Sequence, residues 1–65
     1  MTFVDELQTV VGYDAQIRYG SLGLEITLST LEPATLKTIK EMATKRNRTV
    51  KVTRINGKVV VEIKY

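Results

Sequence analysis

Six stretches of this chain repeat their apolar residues at a regular interval, two with the period of a helix and four with that of a strand. The clearest pair closes the chain: Thr-Val-Lys-Val-Thr-Arg-Ile from Thr49, and Lys-Val-Val-Val-Glu-Ile-Lys-Tyr from Lys58. Asn56-Gly57 lies between them, and that dipeptide favours the two positive φ angles of a type I′ turn. A hairpin turning there sets Ile55 opposite Lys58, Arg54 opposite Val59, Val52 opposite Val61 and Val50 opposite Ile63. One face then holds Val50, Val52, Val59, Val61, Ile63 and Tyr65, with Arg54 the polar exception. The other pairs Lys51 with Glu62 and Thr53 with Val60.

Tyr13 to Ser29 reads as a second hairpin. Gly20-Ser21 suits a type II′ turn, which takes Gly first. Turning there sets Tyr19 opposite Leu22, Ile17 opposite Leu24, Ala15 opposite Ile26 and Tyr13 opposite Leu28, all on one face. The other face pairs Arg18 with Gly23, Gln16 with Glu25 and Asp14 with Thr27.

Two helices complete the pattern. In Thr2 to Val11, residues Phe3, Leu7, Val10 and Val11 make one stripe. Thr2 is placed to cap that helix, with Asp5 at the third position and Gly12 to end it. From about Pro33 to Arg46, Leu36, Ile39 and Ala43 point inward with Met42 beside them, while Lys37, Lys40, Glu41 and Thr44 face water. Pro33 fits the first helical position, Ser29 or Thr30 caps nearby, and Asn47 takes the left-handed conformation that ends the helix.

The expected fold class is therefore α+β, an αββαββ two-layer sandwich with both helices on one face of a four-stranded antiparallel sheet. Val59-Val60-Val61 is apolar on both faces and suits a central strand. The strands bearing Asp14, Gln16 and Arg18, and Lys51, Thr53 and Arg54, suit the edges. This gives the order 1-2-4-3, with 2-1-3-4 as the alternative. In architecture it resembles a circular permutation of the ferredoxin-like βαββαβ sandwich. It also looks like one αββ unit written twice: Leu7-Gln8-Thr9-Val10 is similar to Leu36-Lys37-Thr38-Ile39, and Leu24-Glu25-Ile26 to Val61-Glu62-Ile63. Leu36, Ile39, Val52, Val61 and Ile63 are expected to be the most buried residues.

Length makes this one domain, 1–65, near the lower limit for unaided folding, where only about 60% of the unfolded surface is buried. With no Cys there is neither a disulfide nor a thiolate metal site. No apolar run approaches the roughly 20 residues of a membrane span, and the first residues are acidic where a signal peptide is basic. A cytoplasmic protein is expected. The net charge of +3 divides unevenly. Residues 1–33 carry five carboxylates against Arg18 alone, a net of −4, and residues 34–65 carry nine Lys or Arg against Glu41 and Glu62, a net of +7.

That asymmetry narrows the chemistry. The absence of His and Cys removes the commonest general base, metal ligands and nucleophile. Glu25 and Glu62 are expected near each other on the open sheet face, where a paired-carboxylate site competes with plain pairing to Lys51, Lys64 or Arg18. No enzyme activity, cofactor, metal or small-molecule substrate is expected. Six of the ten cations fall between residues 45 and 58. Lys45, Arg46, Arg48, Lys51, Arg54 and Lys58 are the candidate nucleic-acid-binding residues, acting on backbone phosphates with little sequence selectivity. The competing expectation is self-association or a protein partner, through a sheet edge or the charge-asymmetric surface. Ile55 and Val60, apolar on the open face, are candidates for such cover. No membrane partner is expected.

Overall fold

The computed structural model describes residues 2–64 and runs α1 (Phe3–Val11), β1 (Gln16–Gly20), β2 (Gly23–Leu28), α2 (Pro33–Lys45), β3 (Thr49–Ile55) and β4 (Lys58–Lys64). The sheet is antiparallel throughout with order β1-β2-β4-β3. Moving β4 ahead of α1 turns this chain order into the βαββαβ of the ferredoxin-like sandwich. Neither helix is long and apolar enough to cross a membrane.

α1 starts on a capping box. The Asp5 N–H donates to the Thr2 hydroxyl at 3.2 Å, and the Thr2 N–H donates to the Asp5 carboxylate at 3.3 Å. α2 starts differently from expectation: its cap position is Glu32, whose side chain makes no capping bond, rather than Ser29 or Thr30. Those two lie too far ahead of the first turn, and Pro33 already removes one N–H that would need a partner. At the other end Asn47, at φ 57°, turns the chain out of the helix. The Arg48 N–H donates to the Ala43 carbonyl at 2.9 Å and the Asn47 N–H to the Thr44 carbonyl at 3.1 Å, a Schellman motif.

The β3–β4 hairpin has the expected register at every pair, from Ile55↔Lys58 to Val50↔Ile63. Asn56 and Gly57 stand at φ 50° and 77°, as a type I′ turn requires. The β1–β2 hairpin is shifted by two residues from expectation. Its pairs are Gly20↔Gly23, Tyr19↔Leu24, Arg18↔Glu25, Ile17↔Ile26 and Gln16↔Thr27, so the turn is Ser21-Leu22. The positive-φ glycine here is Gly23, at φ 150°, not Gly20. A Cβ on Gly23 would collide with the Ile63 carbonyl oxygen of β4, so only glycine fits here. The shift also sets Arg18 opposite Glu25, an opposite-charge pair the other register lacks. Because it is two residues, every strand side chain keeps its face.

The core lies between the sheet and both helices. Leu7 of α1 and Ile39 and Ala43 of α2 pack with Ala15, Leu24, Ile26, Leu28, Val59, Val61 and Ile63. Ile39, Val61 and Ile63 are fully buried as expected, together with Leu7, Ile26 and Ala43. Leu36 is only half-buried, and Val52 is 38% exposed. Val52 lies on the helix side of an edge strand, where the helices do not reach the rim. Tyr19 on the opposite edge is 69% exposed for the same reason. Leu22 is displaced into the turn and Tyr13 lies ahead of β1, so both are solvent-facing rather than core. Tyr65, also expected on the core face, falls outside the described residues.

The two αββ units meet around a local pseudo-dyad. Glu25 pairs directly with Glu62, and Leu24↔Ile63 and Ile26↔Val61 flank them. Exchanging Leu24-Glu25-Ile26 with Val61-Glu62-Ile63 therefore maps this central pairing onto itself. The helices follow the symmetry less closely: Leu7 is buried where Leu36 is half-buried, and Ile39 is buried where Val10 is half-buried.

Candidate functional site

The order β1-β2-β4-β3 converts the charge division along the chain into a division across the molecule. β1 and β2 fill one lateral half of the sheet, and β4 and β3 the other. The acidic first half of the sequence and the basic second half thus lie side by side, in a body of 29 × 22 × 18 Å.

Within the basic half the six candidate cations separate into two groups at opposite ends of β3. Lys45, Arg46 and Arg48 stand where α2 hands the chain to β3. Arg54 and Lys58 stand at the Asn56-Gly57 end, and Lys51 lies between. A seven-residue strand spans about 20 Å, so the six do not form one compact cluster. They also divide by face. Lys51 and Lys58 lie on the open side of the sheet, whereas Arg54, opposite Val59, lies on the helix side.

The helix-end group is engaged with α1. The Arg46 guanidinium donates to the Glu6 carboxylate at 2.6 Å, and its carbon lies 4.3 Å from the Phe3 ring centroid. Arg48 lies 5.1 Å from the same ring. Two cations at the end of α2 thus brace the start of α1, an ion pair on a partly exposed surface reinforced by cation–π contact. Lys45, Lys51, Arg54 and Lys58 make no ion pair within 4.0 Å among the described residues.

The open face carries a transverse row of four charges. Register sets Arg18 beside Glu25, Glu25 beside Glu62, and Glu62 beside Lys51, one residue per strand. The two carboxylates are thus adjacent, as expected from the sequence, and a cation flanks each on the outer strand. Below them, Gly20 and Gly23 leave a shallow depression of about 380 Å³, bordered by Arg18, Glu25, Glu62 and Lys64. Among the described residues no three His, Cys, Asp or Glu side chains gather in a metal-holding group. Of the two apolar residues on this face, Val60 is only 8% exposed, flanked by Thr27 and Thr53, while Ile55 remains open.

One feature escaped the sequence reading. The helix-side rims at Tyr19 and Val52 are bare because two helices do not cover four strands to their edges, which periodicity alone cannot disclose. Comparison with protein-family models, with curated proteins and with solved structures finds no match.

Proposed function

We propose that this is a small non-enzymatic, cytoplasmic domain that binds the phosphate backbone of a nucleic acid along the β3 edge. The observation that carries the reading is the lateral segregation of charge: nine Lys and Arg against two Glu in the half built from α2, β3 and β4. An edge strand lets cations approach one backbone from both sides, Lys51 and Lys58 from the open face and Arg54 from the helix face. Lys45, Arg46 and Arg48 extend the line at the helix end, with the Arg46 charge partly offset by Glu6. The open face offers no aromatic side chain for stacking among the described residues, so recognition is electrostatic and tolerant of sequence.

The test is a titration with unrelated DNA and RNA at two salt concentrations. Affinity should fall steeply with salt, and Lys51→Ala and Lys58→Ala should weaken all sequences alike, each lowering the salt slope by about 1. Lys51 and Lys58 are better probes than Arg46 or Arg48, whose loss would also loosen α1. Absence of binding at about 50 mM salt would overturn the reading.

A further inference from the structure

We infer that copies of this chain associate head to tail, the β3 edge of one copy adding to the β1 edge of the next to prolong a single sheet. This does not depend on nucleic-acid binding, and it follows from four features of the two edges.

The first is direction. Four antiparallel strands in the order β1-β2-β4-β3 leave β1 and β3 running oppositely. A second copy shifted sideways therefore presents β1 antiparallel to β3 without being turned over, and its helices stay on the same side.

The second is the backbone. Both hairpins close on two-residue loops, with Gly20↔Gly23 and Ile55↔Lys58 as the closing pairs. Such closing pairs exchange hydrogen bonds, and pairing alternates along the strand from there. The backbone groups of Gly20, Arg18 and Gln16 thus turn toward β2, and those of Ile17 and Tyr19 turn outward. On β3 those of Ile55, Thr53, Lys51 and Thr49 turn toward β4, and those of Val50, Val52 and Arg54 turn outward. The outward residues of both edges are the ones whose side chains lie on the helix side. One alignment therefore satisfies both requirements, donors meeting acceptors and like faces meeting like.

The third is side-chain fit. Placing Tyr19 opposite Val52 of the next copy joins the two bare rim positions. The same register sets Ile17 opposite Arg54, Arg18 opposite Thr53, Gly20 opposite Lys51 and Gln16 opposite Ile55. It keeps Arg18 from facing Lys51, whereas the register two residues away, with Ile17 opposite Val52, brings those cations together.

The fourth is charge. Joining β3 to β1 brings a half of net charge +7 against one of net charge −4, an attraction between the halves as wholes, since β1 itself carries only the charge of Arg18. Symmetric β3–β3 pairing would join two basic halves, and β1–β1 pairing two acidic ones. A heterologous contact of this kind does not close on itself, so it grows into chains. Five paired residues make a contact below the standard interface of about 1,200–2,000 Å², so association is weak and reversible.

Sedimentation equilibrium of the full chain, without nucleic acid, tests this. The weight-average mass should rise past that of a dimer as concentration increases, and fall as salt is added. Tyr19→Lys blocks the β1 edge and Val52→Lys the β3 edge, both at exposed positions, so each variant alone should be monomeric. Mixed, they should form one-to-one dimers and stop, because each retains the edge the other lacks. Val52→Pro should act like Val52→Lys, since it removes an outward N–H while sparing the β4 ladder. Circular dichroism of each variant verifies the fold. Tyr19→Lys keeps all six candidate cations and leaves the β3 edge open, so it should still bind nucleic acid although it no longer associates, which separates this inference from the binding reading. A parent monomeric at every concentration overturns it, as does either variant dimerising alone or a mixture that stays monomeric.

Discussion

In the β3–β4 hairpin the turn itself sets the register: Asn56 and Gly57 both adopt positive φ, and every cross-strand pair follows from that. In the β1–β2 hairpin the turn residues Ser21 and Leu22 have no such preference, and the positive φ falls instead at Gly23, where the turn enters β2. Gly23 packs so closely on Ile63 of β4 that no side chain fits. The glycine of one turn serves the turn, and that of the other a tertiary contact. A turn dipeptide is strong when it demands a rare backbone conformation, as Asn-Gly does, and weak when, as with Gly-Ser, the glycine serves equally well elsewhere.

Breaking that tertiary contact should do the most damage. Gly23→Ala drives a Cβ into the Ile63 carbonyl and the Lys64 backbone, at a φ that side chains rarely adopt. β2 and β4 must separate, and they are the central strands. The loss should be roughly 5 kcal/mol, comparable with the whole stability of a small domain. Circular dichroism should show a largely unfolded variant at room temperature; a cooperative melt near that of the parent would refute the close approach.

Core truncation comes next and probes the two hairpins equally. Ile26→Ala in one and Ile63→Ala in the other each remove a fully buried side chain, so each should cost about 2–5 kcal/mol in urea unfolding. Leu22→Ala separates the two registers. At 74% exposure it should be nearly neutral, whereas opposite Tyr19 in a covered position it would cost much more. The local turn should lie below the core truncations: Gly57→Ala, at φ 77°, should cost about 1–2 kcal/mol and leave the register intact.

The same contrast explains which features were legible in the sequence. Strand order could be read because Val59-Val60-Val61 is apolar on both faces, and faces could be read because alternation survives a two-residue shift. Coverage could not. Tyr19 and Val52 alternate correctly yet stay exposed, because whether a helix reaches the rim depends on how far two short helices spread over four strands. The candidate cations were legible as a run, but their separation was not. Arg46 and Arg48 turn back to Phe3 and Glu6 through contacts up to 45 residues away in the chain, and β3 extends between the two groups.

A small gain in stability is expected where the two halves meet. Glu25 and Glu62 face each other across the central strands, and like charges so placed weaken a sheet. Arg18 and Lys51 flank them on the outer strands, yet neither forms an ion pair within 4.0 Å among the described residues. Repulsion at the centre is therefore only softened from the sides. Glu62→Gln removes one of the two negative charges while keeping the side chain's length, so urea unfolding should show a gain of about 0.2–1 kcal/mol at low salt. Raising the salt should shrink the gain, since screening already weakens the repulsion in the parent. Glu25→Gln should gain less, because Glu25 is exposed whereas Glu62 is half-buried, so neutralising Glu62 also relieves desolvation. A loss of stability in Glu62→Gln would mean that the cation on Lys51 outweighs the facing carboxylate, and that the row binds the two halves together rather than straining their junction.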